Sequence, residues 1–195
     1  EAALELAGKV APYVDIIELG TPLIKAEGLK VVTAMKEAHP TKLVFADMKT
    51  ADTGALEAEM AFKAGADLVT VMGAVDDATI KGAVEAAAKY GRKVVVDTIG
   101  VKDRVQRAKE VTAFGVAFVE LHAGLDEQAL PGYSIQKLID EGKAANVPFS
   151  IAGGVNINTI KAVLEAGAEV IVAGGAIYGA EDPAAAAKAL KEAIS

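Results

Sequence analysis

The chain has 195 residues, 52% of them hydrophobic and only 5% aromatic, which suits a single domain over residues 1–195 filled by Ala, Val, Ile and Leu rather than by rings. It holds no cysteine, which excludes thiolate chemistry, disulfides and zinc sites of the Cys₄ or Cys₂His₂ type. A formal net charge of -7 argues against a nucleic-acid partner, which needs a clustered basic face, and leaves any small anionic substrate dependent on local help.

The chain opens with Glu1-Ala2-Ala3-Leu4-Glu5, which has neither the basic segment nor the cleavage pattern of a signal peptide. No apolar run reaches the roughly 18 residues of a membrane span. The expectation is a soluble, cytoplasmic protein with no membrane partner. A helix is predicted over Ala2–Val10, and after it short β-branched runs alternate with alanine-rich stretches whose apolar residues recur at helical spacing. The strands read are Val14–Leu19, Leu43–Met48, Leu68–Met72, Lys93–Asp97, Ala117–His122, Pro148–Ala152 and Val170–Ala173. The helices between and after them are Leu29–Ala38, Gly54–Ala64, Asp77–Tyr90, Lys102–Phe114, Ile135–Ala144, Ile157–Ala166 and Pro183–Ile194. Lys63-Ala64-Gly65-Ala66-Asp67 and Glu165-Ala166-Gly167-Ala168-Glu169 look like one helix stop written twice.

Strictly alternating strands and helices imply a parallel sheet, because each parallel connection needs a crossover. No G-x-G-x-x-G follows any strand, which argues against an open dinucleotide-binding sheet. Eight evenly spaced helices favour a (β/α)₈ TIM barrel of the α/β class. Only seven strands are read, so the barrel is expected to lack strand 1, the one that would precede helix Ala2–Val10. The same reading expects this chain to be N-terminally truncated.

In such barrels the catalytic candidates stand at the C-terminal ends of the strands. Asp47-Met48-Lys49-Thr50-Ala51-Asp52 is the densest, and strand alternation puts Asp47 and Lys49 on one face. The plain alternative is an ordinary ion pair, with Asp52 as N-cap of the next helix. Glu18, Asp97, Glu120 and His122 close other strands, and so many acids at one barrel end are costly without a metal or a cationic group. His122 suits proton transfer near neutrality, whereas His39 fits a structural turn. Two glycine pairs, Gly153-Gly154 and Gly174-Gly175, end the last two strands where barrels commonly hold a phosphate.

On these motifs the chain resembles the orotidine-monophosphate decarboxylase superfamily, whose mark is D-x-K-x-x-D, here Asp47, Lys49 and Asp52. Within it, Glu18–Ile24, Ala46–Thr50, His122–Gln128 and Ala173–Tyr178 resemble the 3-hexulose-6-phosphate synthases, and the likeness runs from Glu1 to Ser195. The resemblance implies Mg²⁺-dependent aldol addition of formaldehyde to D-ribulose 5-phosphate, or its reverse. It implies Glu18 and Asp47 as Mg²⁺ ligands, Lys49, His122, Asp52 and Asp47 as catalytic groups, and Asp97 and Glu120 on substrate hydroxyls. Gly153, Gly154, Gly174 and Gly175 would anchor the phosphate. It further implies a homodimer in which Asp52 reaches into the partner's site. A Schiff base on Lys49 is disfavoured, because flanking Asp47 and Asp52 favour the charged ammonium.

Two departures stand out: the family's first strand, which supplies an aspartate, is not in this chain, and Ala51 stands where Met is usual. The related ketogulonate-phosphate decarboxylases usually carry arginines where Gly124 and Leu125 stand here. The alternatives are therefore such a sister enzyme on the same scaffold, or an inactive truncated or engineered barrel.

Overall fold

The structure, a computed structural model, describes residues 1–195. In chain order it contains α1 (Ala2–Val10), a 3₁₀ turn (Ala11–Tyr13), β1 (Ile16–Leu19), α2 (Thr21–Glu27), α3 (Lys30–Ala38) and β2 (Leu43–Thr50). Then come α4 (Gly54–Lys63), β3 (Leu68–Met72), α5 (Asp77–Tyr90), β4 (Lys93–Asp97), α6 (Arg104–Thr112), β5 (Phe118–His122) and α7 (Leu125–Gln128). The rest is α8 (Gln136–Ala145), β6 (Phe149–Ala152), α9 (Ile160–Glu165), β7 (Val170–Val172), α10 (Gly175–Tyr178) and α11 (Pro183–Ala193).

The seven strands form one parallel sheet in sequential order from β1 to β7, curled as in a TIM barrel. The outer strands are β1 and β7. α1 packs against α11, and Lys191 Nζ lies 2.7 Å from Asp15 Oδ2, so the two ends of the chain meet beside those edges. Eight helices, α1, α3–α6, α8, α9 and α11, fall where the apolar periodicity places them. Three short ones, α2, α7 and α10, are additional, each in the loop after a strand. The four-residue helices α7 and α10 complete too few turns to show a 3.6-residue period.

The inner face of the sheet is layered. Phe45, Leu68, Val95 and Phe118 form a buried cluster joined by Ile16 and Val170. Two residues further along each of the first five strands, on the same face, stand Glu18, Asp47, Thr70, Asp97 and Glu120. Ser150 on β6, the register partner of Glu120, extends the row. An apolar plug thus floors a polar ring, which keeps the ring in a setting of low dielectric. Outside the sheet, a larger cluster seals strands to helices, with Val32, Met35, Ile80 and Val111 all at most 1% exposed. Tight packing is needed between α4 and α5, where a Cβ at Gly54 would lie 1.9 Å from the Thr79 carbonyl oxygen. At the opposite end of the strands, Asp67 binds the Val44 N–H and the side chains of Lys36 and Arg92, an ion cluster remote from the polar ring.

Candidate active site

The polar ring is completed by Lys49 and His122. Strand β2 does not stay regular to its end: its pairing with β3 shifts between Ala46 and Thr50, and Lys49 adopts φ 46, a left-handed backbone rare for a side chain of its size. The expected meeting of Asp47 and Lys49 is present, but it arises from this irregularity and not from plain alternation. The Lys49 N–H donates to Thr70 Oγ1 at 2.9 Å, which secures the turn.

Lys49 Nζ donates to Asp47 Oδ1 and Oδ2 at 3.0 and 2.9 Å, and to Asp97 Oδ2 at 2.7 Å. Burial works against its charge, but Asp97 and then Asp47 outweigh burial and hold the ammonium well above the ordinary lysine range. The partner that keeps Lys49 protonated is therefore Asp97 together with Asp47. Asp52 is not in this cluster: it is exposed before α4, where its Oδ1 accepts the Thr53 N–H at 2.7 Å. Thr53, with φ 49, and not Asp52, occupies the N-cap of α4.

Asp97 is wholly buried, and burial would raise its pKa. His122 and then Lys49 reverse this and lower it. Its Oδ1 accepts the Ile99 N–H at 2.7 Å, and its Oδ2 also lies 2.9 Å from His122 Nδ1. With Nδ1–H donating to that carboxylate, Nε2 of His122 is left as the basic nitrogen. Asp47 is held by Thr70 Oγ1, which donates to Oδ1 at 2.8 Å, and by Thr21 Oγ1 at the start of α2, which donates to Oδ2 at 2.8 Å. Sequence reading missed both threonines. Thr70 was accessible from strand alternation with Leu68, whereas Thr21 reaches the ring only because α2 forms.

The remaining two acids are unlike these. Burial first, and then the charge of Asp47, push Glu18 up to about 7. Glu120 is 1% exposed, and burial followed by the charge of Glu18 drives it well above the usual carboxylate range. Its Oε2 lies 3.6 Å from His122 Nδ1, and its Oε1 has no hydrogen-bond partner. Ligand atoms of Asp97, Glu120 and His122 lie within 4.8 Å of one another. Four carboxylates facing one ammonium, with a buried carboxylate oxygen unsatisfied, suit a hard divalent cation with oxygen ligands.

The glycine pairs lie beyond β6 and β7. Gly153 and Gly154 have φ 125 and 77, and a Cβ at Gly153 would come 2.7 Å from the Ala123 carbonyl oxygen, so this turn requires glycine. Tyr133 Oη donates to the Gly153 carbonyl at 2.8 Å and fixes the loop. Gly174 and Gly175 open α10. The N–H groups of Gly153, Gly154 and Gly174 donate to no other backbone group of the chain.

Fold and site together define a (β/α)-barrel enzyme with a carboxylate, lysine and histidine centre. The chain belongs to the Orotidine 5'-phosphate decarboxylase / HUMPS family, whose profile matches residues 1–190. It is 68% identical to the 3-hexulose-6-phosphate synthase of Mycobacterium gastri, over 100% of this chain and 94% of that protein. A crystal structure of a 3-hexulose-6-phosphate synthase superposes with a TM-score of 0.98 at 68% identity, covering 100% of this chain and 94% of the other. The 3-keto-L-gulonate-6-phosphate decarboxylase of Vibrio cholerae is similar at 33% identity and a TM-score of 0.84, over 99% of this chain and 91% of that one. No helix is long and apolar enough to cross a membrane.

Proposed function

We propose that this chain catalyses the reversible aldol addition of formaldehyde to D-ribulose 5-phosphate, giving D-arabino-3-hexulose 6-phosphate. The observation that carries the reading is the continuous chain of contacts Asp47–Lys49–Asp97–His122, which sets a fixed ammonium beside a histidine oriented as a base. In this reading His122 Nε2 removes a C1 proton of the ketose, and the C–H electrons move into the C1–C2 bond. The ketone oxygen gains negative charge, which Lys49 stabilises. C1 then bonds to the aldehyde carbon, whose oxygen takes up a proton. Mg²⁺, held by Glu18 and Asp47, would supply an electrophile for the substrate's ketone and hydroxyl oxygens. Asp97 keeps Lys49 and His122 in place. The N–H groups at Gly153, Gly154, Gly174 and Gly175 are assigned to the phosphate, which fits the free donors of Gly153, Gly154 and Gly174. The carboxylates of Asp97 and Asp47, which favour the charged ammonium of Lys49, disfavour Schiff-base chemistry.

We further read the chain as a homodimer in which Asp52 serves the partner's site. Asp52 is exposed, and α4 behind it exposes Leu56 (58%) and Met60 (48%) one turn apart. A sister decarboxylase is the second reading, and the loop after β5 weighs against it. Leu125, 73% exposed, and Gly124 offer no cation to a substrate carboxylate there.

The test is formaldehyde consumption in the presence of D-ribulose 5-phosphate, with Mg²⁺ and then with chelator. Substrate- and metal-dependent loss of formaldehyde is the expected result. CO₂ release from a 3-keto sugar-acid phosphate, without formaldehyde consumption, would replace this reading by the decarboxylase.

A further inference from the structure

His122 is the last residue of β5, where the chain leaves the sheet for α7. Its place is fixed from one neighbouring segment, Asp97 to Arg104, which leads from β4 into α6. Asp97 holds the ring through Nδ1 at 2.9 Å, and the His122 N–H donates to Thr98 Oγ1 at 3.2 Å. Thr98 is wholly buried, and its hydroxyl donates to the Glu120 carbonyl at 2.8 Å. The His122 carbonyl accepts from Arg104 Nη2 at 3.1 Å, so ring, backbone donor and backbone acceptor are each secured. The same Nη2 donates to Glu127 Oε1 and Oε2 at 3.0 and 2.7 Å. Glu127 lies on α7, which has no buried residue and is tied down by polar contacts, this one and the bond from Gln128 Nε2 to the Ala123 carbonyl at 2.7 Å.

We infer that Arg104 is a positioning residue for His122, holding the base in a fixed relation to the loop that leads to α7. The inference rests on the reading of His122 as the base and adds a residue outside the polar ring. Arg104 is 6% exposed although it opens α6, and its Nε is buried without a hydrogen bond, as is Oε2 of Glu141, 3.5 Å from Nη1. A buried guanidinium with an unsatisfied donor gives up stability that an apolar side chain of similar size would keep. What it provides is geometry: N–H groups in one rigid plane reach a carbonyl and a carboxylate together, whereas a lysine ammonium turns freely on a flexible stem. A base must stand within hydrogen-bond reach of its proton, and a misplacement of about 1 Å can cost on the order of 10²-fold in rate. Arg104 touches no group assigned to the phosphate or the metal, so its effect falls on the proton transfer and not on substrate binding.

The experiment compares Arg104→Gln with the unaltered full chain by nitrogen-15 NMR of the imidazole rings and by exchange of the C1 proton of D-ribulose 5-phosphate in D₂O with Mg²⁺. The chain has two histidines, so His39, at the C-cap of α3, serves as the internal standard. The unaltered chain is expected to show His122 with its proton on Nδ1. In Arg104→Gln the His122 signals are expected to move toward a mixture of tautomers while those of His39 stay, and C1 exchange at saturating substrate to fall at least about tenfold with KM within about twofold. An unchanged His122 spectrum with undiminished exchange, or a raised KM at unchanged kcat, would overturn the inference. If the unaltered chain catalyses no C1 exchange, the reading of His122 as the base fails, and the nitrogen spectra alone decide whether Arg104 orients the ring. Should Arg104→Gln not fold, Arg104→Lys takes its place: it keeps the charge without the planar fork, and both readouts are expected to move in the same directions, unchanged values overturning the inference.

Discussion

Lys49 concentrates the physics of the site. Its left-handed backbone costs about 1–2 kcal/mol for a residue with a side chain, and its burial adds a desolvation cost. The Thr70 hydrogen bond and two buried carboxylates offset both, and the result is an ammonium that stays charged and aimed. Glu18 shows the opposite balance, because its pKa is raised from 4.5 to about 7, so the fold favours its neutral form. Its contribution to stability is therefore complete below the ordinary carboxylate pKa and is lost as pH rises through about 7. Asp97 has a lowered pKa, so its contribution is lost only in acid and is constant across this window. Chelator-treated protein is expected to melt at progressively lower temperature between about pH 5.5 and pH 8, and added Mg²⁺ to remove that decline by favouring the ionised carboxylates. A melting temperature in chelator that is flat across the window would contradict the assigned environment of Glu18.

At the scale of elements, strands and long helices were legible because each satisfies a period: two for Phe45 and Asp47 or Phe118 and Glu120, and near 3.6 for the alanine-rich crossovers. The polar ring was legible for the same reason, since a charged residue two positions beyond a buried apolar one faces the same way. What remained hidden depends on non-periodic backbone. The left-handed turn at Lys49 extends β2 to Thr50 and brings Lys49 to Asp97, a residue of another strand that local spacing could not connect to it. Reading Asp52 as the neighbour of Lys49 fails for that reason: β2 ends at Thr50, and Asp52 stands exposed in the connection to α4, where Thr53 adopts φ 49. The short helix α2 begins at Thr21-Pro22, where proline's fixed φ suits a first helical turn, and it delivers the Thr21 hydroxyl to Asp47. Only the folded register reveals that contact.

At the scale of the molecule, the sheet has two outer strands, β1 and β7, and the site draws its groups from β1 as well as from the strands that follow it. The dimer reading adds a group from a second copy, which makes it testable by mixing. Lys49→Ala and Asp52→Ala chains, each inactive alone, are expected to recover on the order of a quarter of full activity when refolded together, since half of randomly assorted dimers carry one intact site. No recovery from a mixed dimer would place Asp52 in its own chain's chemistry or outside the chemistry altogether. The central claim, however, is that this barrel ionises the C1 carbon of a ketose phosphate, with His122 as the base. Proton NMR of D-ribulose 5-phosphate in D₂O, with Mg²⁺ and without formaldehyde, measures that step alone. One C1 proton is predicted to exchange for deuterium with the unaltered chain, and exchange is predicted to fall by at least about 10²-fold in His122→Ala. Turnover of formaldehyde without C1 exchange, or exchange undiminished in His122→Ala, would contradict the account.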